Sequence, residues 1–511
     1  MVSKAEICNQ AGQKLAEVGL FAEALPHFKE AISLAPNYLD AYNNLAKTYN
    51  EAGAFADSLT VCQEMLRLQP NSPAVLQNMA KTFGELGRLN EALNYYYRAI
   101  ALNPDSPSTW SDLFLTLNYT FATSEAVFLE HCKYRRFDPP FPTAPAFYPP
   151  RSSNKDRRIN LGYVSADFRE HPVAHLLALV LQYHDRERFK IFLYSNGQLQ
   201  DKITDRFKLE ADEWRDIHAL DNETAASLIK HDSLDLLVDL SGHTSGNRLP
   251  LFARRLAPMQ VSWLGYLNTT GLSSIDYHLT DQLLVSAGSQ KFYTEKLWPL
   301  VDSFAFNPPS PLPEINDLPA KKNGFFTFAS LNNFKKINDR VLNLWSAILQ
   351  VVPRSRLIIS AKGDLNFQQS IKNKFTLRGI APERVTIIGL RLFTDFLKIF
   401  GAVDLMLDPF PFPGCITIYH GLYAGVPSVV LQSQTEYGRN GAAVMRQVDL
   451  AQFIAKSEAE YVNTALYWSA EANWDKLSTV RVNMRSRFPA NRGQAVTKNV
   501  ERAFIAMLDT V

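Results

Sequence analysis

The amino-terminal fifth of the chain repeats itself every 34 residues. Gly19, Gly53 and Gly87 keep that spacing, as do Pro36, Pro70 and Pro104, and Leu34, Leu68 and Leu102. Small and apolar residues recur in phase between them: Gly12, Ala46 and Ala80; Ala24, Ser58 and Ala92; Phe28, Cys62 and Tyr96. A period of this length means stacked units, each too small to bury its own apolar face alone. Two antiparallel helices per unit explain every position. Small residues let the helices approach, aromatics fill the gaps, glycine ends the first helix and proline stops the second.

The phasing, over about residues 5–106, resembles the tetratricopeptide pattern. Trp110, Leu113 and Leu117 stay in phase and predict a half repeat that closes the stack, so repeats and capping helices are expected over 1–135. Stacked pairs wind into a superhelix whose concave face usually seats extended peptide. Gln10, Asn44 and Asn78 fall in phase on the first helix of successive units. An amide there can pair with a peptide backbone of any sequence, or simply stand solvated on the helix face. Formal net charge is +2 from 53 basic and 51 acidic residues, so no field draws the whole molecule to nucleic acid or anionic lipid. No run approaches the ~18 apolar residues of a membrane span. The start, Met1-Val2-Ser3-Lys4-Ala5-Glu6, is polar, without the apolar core of a secretory signal. Cys8, Cys62, Cys132 and Cys415 lie far apart with no CxxC pair, which suits a reducing, cytoplasmic setting and argues against a structural zinc.

A proline-rich linker is expected over 136–156. Beyond it short apolar runs alternate with amphipathic stretches. Strands are predicted at 160–165, 190–195, 234–240, 261–266 and 277–280, then, past the prolines 308–313, at 325–330, 356–360, 385–388, 405–408 and 428–431. Helical patterns such as 338–351 and 417–424 separate most of them. The alternation predicts two parallel sheets covered on both faces, one over 157–302 and one over 323–511, with a connector at 303–322. Ligands of such folds sit beyond the carboxyl ends of the strands, so the site is expected in loops from both halves.

Several of those loops carry chemistry. After the first strand runs Asp167-Phe168-Arg169-Glu170-His171-Pro172-Val173-Ala174-His175. Pro172 suits the first turn of a helix and puts His171 at its start, where it can take a proton near neutral pH or merely cap the helix. The HxxxH spacing lacks a third metal ligand, and His175 is expected to pack. Ser241-Gly242-His243-Thr244 follows the third predicted strand, and a glycine- and hydroxyl-rich stretch, Gly265 to Gly271, follows the next. In the second half Asn332-Asn333-Phe334-Lys335-Lys336 places an amide and a lysine past a strand. Lysine as a compact charge suits a diphosphate, although a Lys-Lys pair can equally be solvated surface. Asp408-Pro409-Phe410-Pro411-Phe412-Pro413-Gly414 leads into a helix whose free N–H groups make an anion site. Aspartates two apart occur nowhere, so the short acidic motif that holds a divalent metal on a sugar diphosphate is missing.

Taken in order, GYVSADFREHPVAH, DLLVDLSGHTSGNR, APMQVSWLGY, IDYHLTD, FASLNNFKKIN and the PFPG-to-YAGVP stretch resemble the O-GlcNAc transferase-like family, particularly its bacterial members. The resemblance implies a tetratricopeptide superhelix followed by the α/β GT-B fold, two Rossmann-like lobes around a nucleotide-sugar. It implies transfer from a UDP donor to serine or threonine of a polypeptide, with inversion, without metal and with no cofactor. By the same resemblance His171 and Lys336 stand at the catalytic positions. His243, Asn333, Phe396, Gly414, Thr417, His420 and Arg439 fall at substrate-binding positions, while the repeat phase makes Asn44 and Asn78 the peptide-binding candidates. The chain departs from the pattern at Cys415, Ile416 and Ile418 around Thr417, at His420 where the family has a ribose-holding aspartate, and at Phe396 where it has a base-stacking histidine. These changes leave open another nucleotide-sugar, an asparagine acceptor, or a peptide-binding scaffold with a degenerate transferase half.

Overall fold

The computed structural model describes residues 3–139, 157–389 and 391–510, so most of the expected linker, 140–156, lies outside the described residues. Six helices form the repeats: α1 (Lys4–Glu17), α2 (Phe21–Leu34), α3 (Leu39–Ala52), α4 (Phe55–Leu68), α5 (Pro73–Glu85) and α6 (Leu89–Leu102). Gly19, Gly53 and Gly87 join the members of each pair at φ of +80°, +81° and +73°, the left-handed region that glycine enters without strain. Two further helices, α7 (Pro107–Leu117) and α8 (Ser124–His131), and a tight turn over Cys132–Phe137 cap the stack.

The first lobe is one parallel sheet of β1 (Ile159–Ser165), β2 (Phe189–Ser195), β3 (Glu213–Asp216), β4 (Leu236–Asp239), β5 (Met259–Trp263), β6 (Tyr277–Asp281) and β7 (Lys296–Leu300), in the order β3-β2-β1-β4-β5-β6-β7. No helix or strand occurs between Leu300 and Pro319. The second lobe is a parallel sheet of β8 (Thr327–Ser330), β9 (Arg356–Ser360), β10 (Val385–Ile388), β11 (Leu405–Leu407), β12 (Ser428–Leu431) and β13 (Ile454–Ala455), ordered β10-β9-β8-β11-β12-β13. The ten predicted strands are all present, with ends that coincide or shift by up to three residues. β3, β7 and β13 are additions.

One boundary needs correction. The last helix, Arg492–Leu508, expected in the second lobe, crosses back and packs on the helix Pro172–Tyr183 of the first. The Glu501 carboxylate accepts from the Asp185 N–H at 2.8 Å and meets His184 Nδ1 at 2.9 Å. Buried Val496, Val500 and Phe504 supply the apolar reason. A continuous apolar cluster also joins Phe114 and Leu117 of the cap to Leu237 and Leu249 of the first lobe. Among the described residues no helix is long and apolar enough to cross a membrane.

Candidate active site

Counted from its own first strand, each sheet runs 3-2-1-4-5-6, the first with one more strand at its edge. Such an order has one switch point, between β1 and β4 in the first lobe and between β8 and β11 in the second, where a crevice opens at the carboxyl ends. The loops leaving those four strands hold His171, Thr244, Lys336 and the proline run 409–413. A cavity of about 250 Å³ lies among them, walled by His171, Thr244, Lys336, Pro413, Cys415 and Ile416, with Trp263 and Asp281 from the first lobe.

Lys336 closes a short turn (Phe334–Lys336) and turns its Nζ onto the Pro413 carbonyl, 2.8 Å away, with the Phe412 ring centroid at 4.9 Å. Burial draws the amine down to about 8, against the attraction of Asp408, so it is largely ammonium at neutral pH. The helix Ile416–Tyr423 begins beside it. Cys415 occupies its cap position and no side chain caps it, which leaves the first N–H groups and the positive end of the helix dipole for an anion. Gly414 does not share in this. Its amide, expected at the donor, instead donates to both oxygens of Asp408 at 2.9 and 3.1 Å.

Opposite stands His171, capping the helix Pro172–Tyr183. Its Nδ1 accepts from the Val173 N–H at 3.3 Å and lies 3.5 Å from Asp167 Oδ2. Burial, aided by Arg169 and His175, lowers its pKa to about 4, so the ring is neutral at neutral pH. With Nδ1 as acceptor the proton resides on Nε2. His171 and Thr244 also border a second cavity of about 520 Å³, formed by Gln13, Asn44, Lys47 and Glu51 of the repeats and by Arg169 and Asn196 of the first lobe. The two cavities therefore share His171 and Thr244 as common wall residues. Sequence reasoning missed Thr244, the next residue after the one it chose. A further hollow of about 720 Å³ lies behind the proline run, bordered by Phe410 and Pro411 but by none of the expected site residues.

Other expected residues fall elsewhere. His243 is 1% exposed, with Nδ1 on Ser111 Oγ at 2.9 Å and Nε2 on the Thr270 carbonyl at 2.8 Å. Both ring nitrogens are used, and the ring sits among Phe114, His131, Tyr134 and Tyr266. It pins the repeat cap to the first lobe and does not border the cleft cavity. Asn333 is exposed and accepts from the Lys335 N–H at 3.1 Å, whereas its neighbour Asn332 is buried and donates to Asp408 Oδ1 at 3.1 Å. Thr417, half-buried in the first helical turn, does not border the cavity.

His420 and Phe396 belong to an aromatic nest with Phe306, Phe393 and His175. Burial lowers the His420 pKa to about 3, and its Nε2 has no hydrogen-bond partner. His175 pairs through Nε2 with Glu170 at 2.5 Å, so the two histidines of HxxxH are engaged separately. Arg439 donates to the Leu284 carbonyl across the lobes at 2.8 Å and to the Gln434 carbonyl at 2.6 Å. In the repeats Asn44 donates to Asn9 at 3.0 Å and Asn78 to Asn43 at 2.5 Å, each amide keeping further donor and acceptor capacity. Of the two, Asn44 borders the second cavity. Among the described residues no three His, Cys, Asp or Glu side chains converge as a metal site.

Comparison with known proteins establishes the family and the fold. The family described as glycosyl transferase family 41 matches residues 141–307 and 317–496, and tetratricopeptide repeat families match 15–82 and 73–106. The chain belongs to glycosyl transferase family 41. A Petunia hybrida protein named probable UDP-N-acetylglucosamine–peptide N-acetylglucosaminyltransferase SPINDLY is 35% identical over 367 residues, 70% of this chain and 39% of that protein. Its rice namesake, from Oryza sativa subsp. japonica, is 38% identical over 362 residues, 68% of this chain and 39% of that protein. The chain thus spans about two-fifths of the length of these curated relatives. The solved structure of a mutant O-GlcNAc transferase of Thermobaculum terrenum superposes with a TM-score of 0.91 at 30% identity, covering 99% of this chain and 98% of that one. Within family 41 this chain therefore has tetratricopeptide repeats followed by the two lobes of a GT-B fold.

Proposed function

We propose that the chain is an inverting glycosyltransferase that moves GlcNAc from UDP-GlcNAc to serine or threonine hydroxyls of a polypeptide lying against the repeats. One observation carries the reading most. The cavity bounded by the Lys336 amine and an uncapped helix start shares His171 and Thr244 with a cavity lined by the repeats. A donor diphosphate on the one side and an acceptor chain on the other would meet there. The acceptor oxygen attacks the anomeric carbon opposite the diphosphate. The carbon–oxygen bond to UDP breaks, and the hydroxyl proton leaves with the diphosphate or through solvent. Negative charge grows on the leaving group, where Lys336 and the helix N–H groups act chiefly in the transition state. With its Nδ1 occupied, His171 presents Nε2–H and orients the acceptor. This route requires no divalent cation, so EDTA should leave turnover unchanged. The four cysteines are unpaired, in keeping with a reducing cytoplasmic setting.

A second reading concerns the nucleotide. His420, neutral in its aromatic nest, replaces the expected ribose-binding carboxylate, which favours a donor other than UDP-GlcNAc. Intact-mass spectrometry of a peptide pool incubated with several nucleotide-sugars tests both. A gain of one N-acetylhexosamine on serine or threonine, abolished by Lys336→Ala, is the expected result. Transfer from another donor alone would establish the second reading. Transfer only to asparagine, or no binding of any nucleoside diphosphate, would overturn the proposal.

A further inference from the structure

We propose that Asp408 is a positioning residue for the donor diphosphate: it orients the Pro413–Gly414 peptide group and, through that group, the Lys336 ammonium. The inference rests on the reading that Lys336 meets the diphosphate. Asp408 follows β11, is wholly buried and does not border the cleft cavity. In the sequence it stands only as the first residue of the stretch that leads into the helix, with no role of its own.

The Pro413–Gly414 peptide group is held at both ends. Its carbonyl accepts from Lys336 Nζ at 2.8 Å and its N–H donates to Asp408 at 2.9 and 3.1 Å. A base and an acid thus grip opposite poles of one dipole, each reinforcing the hydrogen bond of the other. The carboxylate has no room to swing. Asn332 Nδ2 donates to it at 3.1 Å, and a Cβ on Gly414 or Gly441 would stand 2.8 or 3.0 Å from its oxygens. Its backbone is fixed as well: the Tyr461 hydroxyl donates to the Asp408 carbonyl at 2.9 Å, and the Asp408 N–H donates to Val429 at 3.0 Å. The proline run therefore folds against a fixed carboxyl group that aims the carbonyl of residue 413 at the lysine. Burial raises its pKa to about 7 against the pull of Lys336, so it is charged over the range in which the lysine titrates.

Charge adds to geometry. Asp408 and Cys415 favour the Lys336 ammonium, while burial and Lys335 oppose it. Lys335 itself faces Glu85 of α5 at 3.5 Å and Tyr119 of the cap, and His171 and Asp281 border the cavity from the first lobe. Removing the Asp408 charge should make the amine give up its proton more readily.

The test is a pH titration of the Lys336 side chain by NMR in full-length protein carrying carbon-13-labelled lysine, assigned with Lys336→Arg. In Asp408→Asn the midpoint should fall from near 8 by about half a unit or more. UDP affinity, measured by calorimetry, should decline at correspondingly lower pH. Asp408→Asn combined with Lys336→Arg, whose guanidinium stays charged, should lose that pH dependence. A purely structural role would weaken UDP equally at every pH and leave the midpoint in place, which would overturn the proposal. If Asp408→Asn does not fold, Asn332→Leu serves. It removes one hydrogen bond from the carboxylate, favours its protonation and should lower the Lys336 midpoint in the same direction; an unmoved midpoint overturns the proposal. Failure of the wild-type protein to bind any nucleoside diphosphate would sink the proposed function instead. The lysine titration is read without ligand and would still stand.

Discussion

Lys336 is a cation held without a carboxylate in direct contact: its partners are the Pro413 carbonyl and the Phe412 ring. Such a group has charge to spare for a leaving diphosphate. Lys336→Met is expected to lower kcat by ~10²–10³ with a smaller effect on KM, as for loss of one transition-state donor. Steady-state kinetics with a peptide acceptor checks it, and equal changes in KM alone would mean that the lysine only binds. The pH profile belongs to the same residue. kcat/KM, which reports the free enzyme, should fall as pH rises through about 8 and the amine loses its charge. His171, drawn down to about 4, stays neutral over the intervening range and contributes no acid limb near 6.5. A limb there that vanishes in His171→Gln would show instead that the imidazole titrates near its ordinary value in the free enzyme.

Between the repeat cap and the first lobe, α7 and α8 are joined to the Gly265–Gly271 stretch by a chain of hydrogen bonds. Asn118 Nδ2 donates to the Tyr266 hydroxyl at 2.8 Å, that hydroxyl meets His131 Nε2 at 2.7 Å, and His131 Nδ1 reaches the Val127 carbonyl at 2.7 Å. The arrangement needs a neutral imidazole, and burial lowers the His131 pKa to about 4. The unfolded chain, near 6.5, binds the proton first, so this junction loses stability as pH falls from about 6.5 through about 4. His131→Gln should cost ~1–3 kcal/mol at neutral pH by leaving buried partners unpaired. Its melting temperature should also depend less on pH than that of the wild type, measured by differential scanning fluorimetry across pH 4–8. Here the sequence was informative only in part. Inner strands such as β4 and β12 are legible as apolar runs because both faces are buried. β3 (Glu-Trp-Arg-Asp) and β7, which contains Pro299, lie at the two edges, where charge and proline are tolerated and no apolar run marks them. At the site the loops were legible and the directions of their side chains were not. Asn332 and Asn333, like His243 and Thr244, are chain neighbours that face different surroundings, and only the folded turn decides which one reaches the chemistry. The role of Asp408 was invisible for the same reason.

At the scale of the whole molecule the cleft depends on residues far from it. Glu436 accepts from Ser124 of the cap at 2.9 Å and from Ser289 of the first lobe at 2.7 Å, and Arg439 reaches Leu284 across the lobes. On the far side the last helix returns to the first lobe, burying Val496, Val500, Phe504 and Met507. At ~1.5–3 kcal/mol for each such side chain, the total is comparable with the ~5–15 kcal/mol that stabilises a whole domain. That helix is therefore a strut that sets one lobe against the other, not an appendage of the second. Glu501 is its polar anchor on His184 and Asp185, and it does not border the cleft cavity. Glu501→Ala should lower stability by ~1–3 kcal/mol through the unpaired groups left behind. Because the two sides of the proposed donor site sit on different lobes, it should also weaken UDP binding severalfold, measured by calorimetry on protein shown by circular dichroism to be folded. A folded variant that lost stability yet kept full UDP affinity would mean that the ties around Glu436 and Arg439 suffice to hold the lysine and the facing histidine in register.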